Sequence, residues 1–333
     1  MNALELVDVT RRFDRVEAVK HLSLSVARGE MFGLIGPDGA GKTTTIRLVC
    51  GLLRADAGRV RVLGADPVRE RGRITASVGY FSQRFSLYGD LSIDENIAFF
   101  ADIHGVADFR ARRDRLLELT QLTPFRSRLA DKLSGGMKQK LALACTLIHQ
   151  PDLIVLDEPT TGVDPISRRE FWKLLSELLT QGITMLMATP YLDEAERCTR
   201  VALLHEGKLL ALDEPGALRA ALPGTVFEVI VDDHRAAQSV LEHLPGVVGV
   251  SAFGERIHVR VGAGDERTVD AAAMQTALET RDLRVDSVRP VAASLEDVFI
   301  ARLGEPRPAG RRPGEATPGD QRPGEPRPVS KRP

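Results

Sequence analysis

Short apolar runs alternate with stretches of helical spacing through the first two thirds of the chain. Met31 to Ile35, Leu153 to Leu156 and Ile183 to Ala188 carry no charge and have the length of buried strands. Thr44 to Cys50 and Leu141 to Ile148 repeat their apolar positions at helical intervals. Over residues 1–222 this alternation predicts an α/β domain built on a central sheet.

A second pattern begins near residue 223. Phe227 to Val231, Val247 to Phe253, Arg256 to Val261 and Leu283 to Val291 read as strands. Ala236 to Leu244 and Thr268 to Thr280 have helical spacing. The order β-α-β-β-α-β predicts a small ferredoxin-like domain over residues 223–303. From Gly304 to Pro333 the chain is mostly Pro, Gly, Arg and Glu and has no apolar face to bury, so residues 304–333 are predicted to be a disordered tail.

Composition narrows the function classes. Of the 333 residues, 43% are hydrophobic and 27% charged, an ordinary globular balance. A formal net charge of −1 excludes the broad basic field of a charge-driven nucleic-acid binder, so no nucleic-acid partner is expected. Cys50, Cys145 and Cys198 lie far apart without metal or disulfide spacing, and read as small thiols of a reducing compartment. The N-terminus lacks the basic-then-apolar layout of a secretory signal. No apolar run approaches the ~20 residues that cross a bilayer. Any membrane role is expected to come through a partner.

The chemistry starts at Gly36-Pro37-Asp38-Gly39-Ala40-Gly41-Lys42-Thr43, a G-x-x-x-x-G-K-[ST] match placed between an apolar strand and a helix that opens at Thr44. Its glycines let backbone N–H groups curl round phosphate oxygens, and the helix N-terminus adds a favourable dipole. Lys42 is expected to meet the β- and γ-phosphates and Thr43 to hold Mg²⁺, with Thr44 in the same nucleotide-binding set. ATP and Mg²⁺ are therefore the expected ligands. At the end of the strand Leu153 to Leu156 stand Asp157 and Glu158. In the nucleotide reading Asp157 holds Mg²⁺ and Glu158 polarises the attacking water.

Leu133-Ser134-Gly135-Gly136-Met137-Lys138-Gln139-Lys140 is the more discriminating motif. Ser134 is a natural N-cap, and Gly135 and Gly136 offer backbone donors at a helix start. Here the chain resembles the nucleotide-binding domains of ABC transporters, whose LSGGQ-type signature grips the γ-phosphate of ATP held by the other subunit. The resemblance implies a head-to-tail dimer enclosing two ATP molecules.

The resemblance covers residues 4 to about 215 and extends to further positions. Phe13 matches the aromatic that stacks on adenine. Gln83, in Tyr80-Phe81-Ser82-Gln83, matches the Q-loop glutamine that senses Mg²⁺ and the γ-phosphate. Asp164 matches the D-loop aspartate that communicates across the dimer. Leu87-Tyr88-Gly89-Asp90-Leu91-Ser92-Ile93-Asp94-Glu95-Asn96 looks like the region after the Q-loop in drug-exporter ATPases of the ABC-2 class, which receives the permease's coupling helix. Phe85, Leu87 and Tyr88 would supply its apolar surface. Ser294-Leu295-Glu296-Asp297-Val298-Phe299 resembles the C-terminal element of daunorubicin-exporter-type ATPases.

Two positions depart from the family pattern. Asp38 stands where Asn is usual and adds negative charge near the triphosphate. Pro190, in Thr189-Pro190-Tyr191, stands where the family has its switch histidine and has no side-chain donor or acceptor.

The expected protein is an ATP-hydrolysing subunit at the cytoplasmic face of the membrane. It would drive export through a separate ABC-2-type permease, paired with a second ATPase subunit as a heterodimer or as a homodimer. The rival readings are a hydrolysis-poor ATP-binding partner of such a subunit, and a soluble ABC ATPase acting on ribosomes or DNA.

Overall fold

The computed structural model describes residues 2–83, 87–263 and 269–304. The tail beyond 304, Thr268 and Phe85 lie outside them, and with them the predictions of a disordered segment, of the start of the second C-terminal helix and of one docking aromatic.

The chain begins with two long strands, β1 (Asn2–Phe13) and β2 (Val16–Ala27), joined by a tight turn that pairs Phe13 with Val16. β3 (Met31–Ile35) is apolar throughout and wholly buried, and leads through the glycine-rich loop into α1 (Lys42–Val49). β4 (Ala57–Val62) returns to pair antiparallel with β1, giving a sheet of order β2-β1-β4.

Next come α2 (Arg71–Ser77), β5 (Val78–Phe81), α3 (Ile93–Ile103), α4 (Arg110–Leu119) and α5 (Gly135–Leu147). They are followed by β6 (Leu153–Asp157), α6 (Pro165–Thr180), β7 (Thr184–Thr189), α7 (Leu192–Ala195), β8 (Arg200–His205), β9 (Lys208–Asp213) and α8 (Pro215–Ala220). The central sheet runs β5-β6-β7-β3-β8-β9, parallel except for the β8–β9 pair. Strand alternation divides its core: Leu153, Val155, Phe32 and Leu34 pack with α1 and the first sheet, whereas Ile154, Leu156, Met31 and Ile35 pack with α3, α5 and α6.

The remaining elements are β10 (Thr225–Val231), α9 (His234–Leu241), β11 (Val247–Phe253), β12 (Arg256–Val261), α10 (Ala271–Glu279), β13 (Val285–Val291) and α11 (Leu295–Gly304). The sheet order is β11-β12-β10-β13 with every neighbouring pair antiparallel. This is the split-βαβ arrangement expected from the sequence, with its own core of Val229, Ile257, Val259, Leu241, Met274 and Leu278. The fold class is thus α/β with a P-loop domain and a small β-α-β-β-α-β unit.

The last helix does not follow its own unit. Leu295 and Val298 of α11 join the core of the P-loop domain, where Phe299 also packs. Asp297 stays with the small sheet, lying 3.0 Å from His258 Nδ1 on β12. Residues 1–303 accordingly form one compact unit.

Candidate active site

The loop between β3 and α1 is shaped by glycine. Gly41 has φ +97°, and a Cβ there would run into the Ala18 carbonyl; a Cβ at Gly36 would strike the Leu204 carbonyl. Only glycine fits both places, and the loop therefore presents a backbone concavity to the cleft. The cleft has a volume of about 620 Å³. Its floor is Asp38, Gly39, Ala40, Gly41, Lys42, Thr43 and Thr44, with Glu158 beside them. Gly36 and Pro37 lie behind that floor and act through their carbonyls.

Lys42 is only 4% exposed. Its ammonium donates to the carbonyls of Gly36 at 2.7 Å and Pro37 at 3.0 Å, and lies 4.0 Å from Glu158. Burial pulls its pKa down, while Glu158, Asp38 and Asp157 oppose that shift. Asp38 thus puts a carboxylate where it favours the charged lysine.

Asp157 ends β6 and is 1% exposed. Thr43 Oγ1 donates to its Oδ1 at 3.2 Å, and the Tyr80 hydroxyl donates to its Oδ2 at 3.3 Å. Burial is the main cause pushing its carboxyl above the ordinary range, against those two hydrogen bonds. Glu158 has φ +50°, in the left-handed region that costs a non-glycine residue of order 1–3 kcal/mol. Its carboxylate lies at the cleft. Gln83 Nε2 donates to it at 2.8 Å, and Thr161 Oγ1 at 3.3 Å.

Several predicted residues lie apart from this cluster. Ser134 caps α5, accepting from the Met137 N–H at 3.3 Å; neither it nor Gly135 or Gly136 lines the cleft. A Cβ on Gly136 would meet the Ser167 hydroxyl of α6, so this glycine lets two helices approach closely. Phe13 is 40% exposed, with the Arg11 guanidinium 4.8 Å from its ring centroid; its cross-strand partner Val16 lines the cleft instead. Asp164 caps α6 through the N–H groups of Ile166 and Ser167.

Pro190 follows β7 and does not line the cleft. Around it is a buried network that sequence reading missed. Glu194 accepts from Thr189 Oγ1 at 2.6 Å, from Arg168 Nε at 2.9 Å and from the Thr160 hydroxyl. It ties the turn after Glu158 to the turn at Pro190. Also missed were Val16, Glu17, Ala18, Lys20 and Glu206, which complete the cleft wall. The Phe13–Val16 hairpin pairing was a usable signal for the first three; nothing local marks Glu206.

The Leu87–Asn96 segment is organised by Asn96, which is fully buried. Its side chain bonds the Tyr88 N–H and carbonyl and the carbonyls of Leu91 and Ser92. Leu87 packs on the core and leaves Tyr88 exposed.

A backbone cradle closed to side chains, a buried ammonium, and the hard oxygens of Thr43 and Asp157 suit a nucleoside triphosphate with Mg²⁺. Residues 19–161 match the family model described as ABC transporter. The chain is 38% identical over 308 residues to the Nod factor export ATP-binding protein I of Paraburkholderia xenovorans, covering 91% of this chain and 97% of that protein. It is 32% identical to the daunorubicin/doxorubicin resistance ATP-binding protein DrrA of Streptomyces peucetius, covering 91% and 93%. With the probable multidrug ABC transporter ATP-binding protein YbhF of Escherichia coli, identity is 42% over 91% of this chain, which spans about half, 52%, of that protein. Among solved structures, cbiO1 from Clostridium perfringens, part of the ABC transporter complex cbiONQ, superposes with a TM-score of 0.62 at 26% identity, covering 73% of this chain and 96% of that one. An ATP-binding subunit of an ABC transporter superposes with a TM-score of 0.60 at 28% identity, covering 66% and 92%. The chain belongs to the ATP-binding proteins of ABC transporters.

Proposed function

We propose that this chain is the ATP-binding and ATP-hydrolysing subunit of an ABC-2-type exporter, working at the cytoplasmic face of the membrane. The observation that carries the proposal is the meeting of Lys42, Thr43, Asp157, Glu158 and Gln83 at one cleft. Among the described residues no helix is long and apolar enough to cross a membrane. In this proposal a separate permease forms the membrane path, and the names of the Nod factor and daunorubicin relatives support an export role.

In this reading Lys42 exchanges its bonds to the Gly36 and Pro37 carbonyls for the β- and γ-phosphates. The N–H groups of Gly39 and of Gly41 to Thr44 cradle the phosphate oxygens, and Val16 lines the apolar side that receives adenine, with Phe13 beside it across the hairpin to stack on the base. Mg²⁺ held at this site would supply neutralisation of the triphosphate's negative charge. Thr43 and Asp157 are the residues that hold it, with Gln83 reaching the same region. Glu158 orients and polarises the attacking water once Gln83 releases it. Ser134, Gly135 and Gly136 meet the γ-phosphate of ATP on another subunit, which agrees with their distance from this chain's own cleft. Leu87 and Tyr88 receive the permease. The domain boundary is proposed between residues 222 and 223.

Pro190 supports a second reading within the first. A site without a side chain able to contact the γ-phosphate at that position binds ATP and hydrolyses it slowly. Its intact signature completes a competent site on a second ATPase subunit, in a heterodimer. The test is purification of the native membrane assembly through a tag on this chain, with ATPase activity measured before and after the partners are removed. The proposal expects a polytopic permease and a second ATP-binding cassette, with turnover falling sharply when this chain is alone. Recovery with ribosomes or DNA and no membrane protein would overturn it.

A further inference from the structure

Strand alternation puts Tyr80, Val155 and Asp157 on the same face of the central sheet. Tyr80 of β5 pairs in register with Val155 of β6, and Asp157 lies two residues further along the same strand. That face carries the core packed on α1, against which the Tyr80 ring sits. The ring is long enough to bring its hydroxyl up to Asp157, where it donates to Oδ2 at 3.3 Å. Thr43 Oγ1 reaches the other oxygen, Oδ1, at 3.2 Å. The two oxygens are therefore distinguished, one held from the sheet and one facing the nucleotide loop.

The pairing has a consequence for metal binding. Thr43 is the residue expected to turn its hydroxyl to Mg²⁺, so its bond to Asp157 is the one that loading removes. The Tyr80 bond comes from a strand interior and has no reason to break. A buried carboxylate whose second oxygen accepts a hydrogen bond is biased against rotating away from the loop. Outer partners of this kind govern metal affinity, and losing one typically costs ten- to a hundredfold.

We propose that Tyr80 is a positioning residue for magnesium: its hydroxyl locks the rotamer of Asp157 so that Oδ1 faces Thr43 and the metal. This rests on the reading of Asp157 as the magnesium-holding carboxylate. Tyr80 also stands three residues before Gln83 on the same segment, so the strand that fixes the metal's carboxylate leads directly into the glutamine that holds Glu158.

The test is calorimetric ATP binding by the full chain, without metal and across a Mg²⁺ titration, for the parent, Tyr80→Phe and Asp157→Asn. Tyr80→Phe keeps the ring and removes one oxygen. It should leave metal-free ATP affinity unchanged and raise the Mg²⁺ concentration for half-maximal enhancement about tenfold. Asp157→Asn should lose most of the enhancement, and Tyr80→Phe should add nothing in that background. An unchanged Mg²⁺ requirement in Tyr80→Phe, with Asp157→Asn impaired, overturns the role of Tyr80 and spares the site. If Asp157→Asn is unimpaired as well, the reading of the site falls and the proposal with it. A second measurement needs no Tyr80 variant. The chain has three tyrosines, so 3-fluorotyrosine labelling gives three fluorine resonances, assigned with Tyr88→Phe and Tyr191→Phe. The Tyr80 resonance should move with Mg-ATP and stay still with metal-free ATP; movement in neither case overturns the proposal.

Discussion

Gln83 Nε2 donates to Glu158 Oε2 across 2.8 Å and so occupies the carboxylate expected to orient water. Thr161 donates to the same oxygen, so Glu158 is held by two neighbouring side chains. In the isolated chain, Glu158→Gln should keep ATP affinity within about threefold and cut that chain's own turnover at least a hundredfold, the usual range for a lost general base. Phosphate release measured beside calorimetric binding checks this. Turnover within tenfold of the parent would move the base elsewhere.

Lys42→Ala should weaken Mg-ATP binding at least tenfold, about 1.4 kcal/mol. The ammonium is already buried and bonded to two carbonyls, so it is placed for the phosphates before they arrive. Equal affinity of mutant and parent by calorimetry would sink the P-loop assignment.

Asp157→Asn should raise the melting temperature of the nucleotide-free protein at neutral pH. Burial lifts the carboxyl's pKa above its unfolded value, so folding favours its protonated form. Its ionised form is thus the one that costs stability. The cost is complete above the folded pKa and vanishes as pH falls below the unfolded value. The gain from asparagine should therefore shrink toward acid pH. A gain that is absent at neutral pH, or that grows on acidification, would contradict the burial argument.

A chain truncated after Gly304 should melt within about one degree of the full-length protein, because the removed segment has no apolar face to bury. Leu295→Ala should behave differently, since Leu295 is buried in the core of the P-loop domain. Its cost should be about 2–5 kcal/mol, as for other buried leucines. Denaturant unfolding of both proteins distinguishes a tail from a helix that is part of the core.

Pro190→His should raise turnover of the isolated chain about tenfold or more if the missing switch residue limits hydrolysis. Under the heterodimer proposal, Ser134→Arg should reduce the complex's activity more than Glu158→Gln does, because the signature would then complete the partner's competent site. Brisk steady-state hydrolysis by the isolated parent chain would refute the asymmetric arrangement.

The features legible in the sequence are those set within a few residues. The glycine spacing before Lys42, the serine at the start of α5, and the apolar runs of β3, β6 and β7 depend on local backbone freedom, capping and burial on both faces. The small unit was equally legible, because its period-two strands and helical stretches follow one another in a known order. Other features join positions that are distant in sequence, and only tertiary packing decided them. Glu194 links Thr160, Thr189 and Arg168 because α7 folds back over two strand ends. Glu206 enters the cleft because β8 lies beside β3. Tyr80 meets Asp157 because parallel pairing sets their register. The last helix leaves its own unit because Leu295 and Val298 find a larger apolar surface on the P-loop domain. In each case the deciding energy is a contact between segments, which hydrophobic period along the chain does not encode.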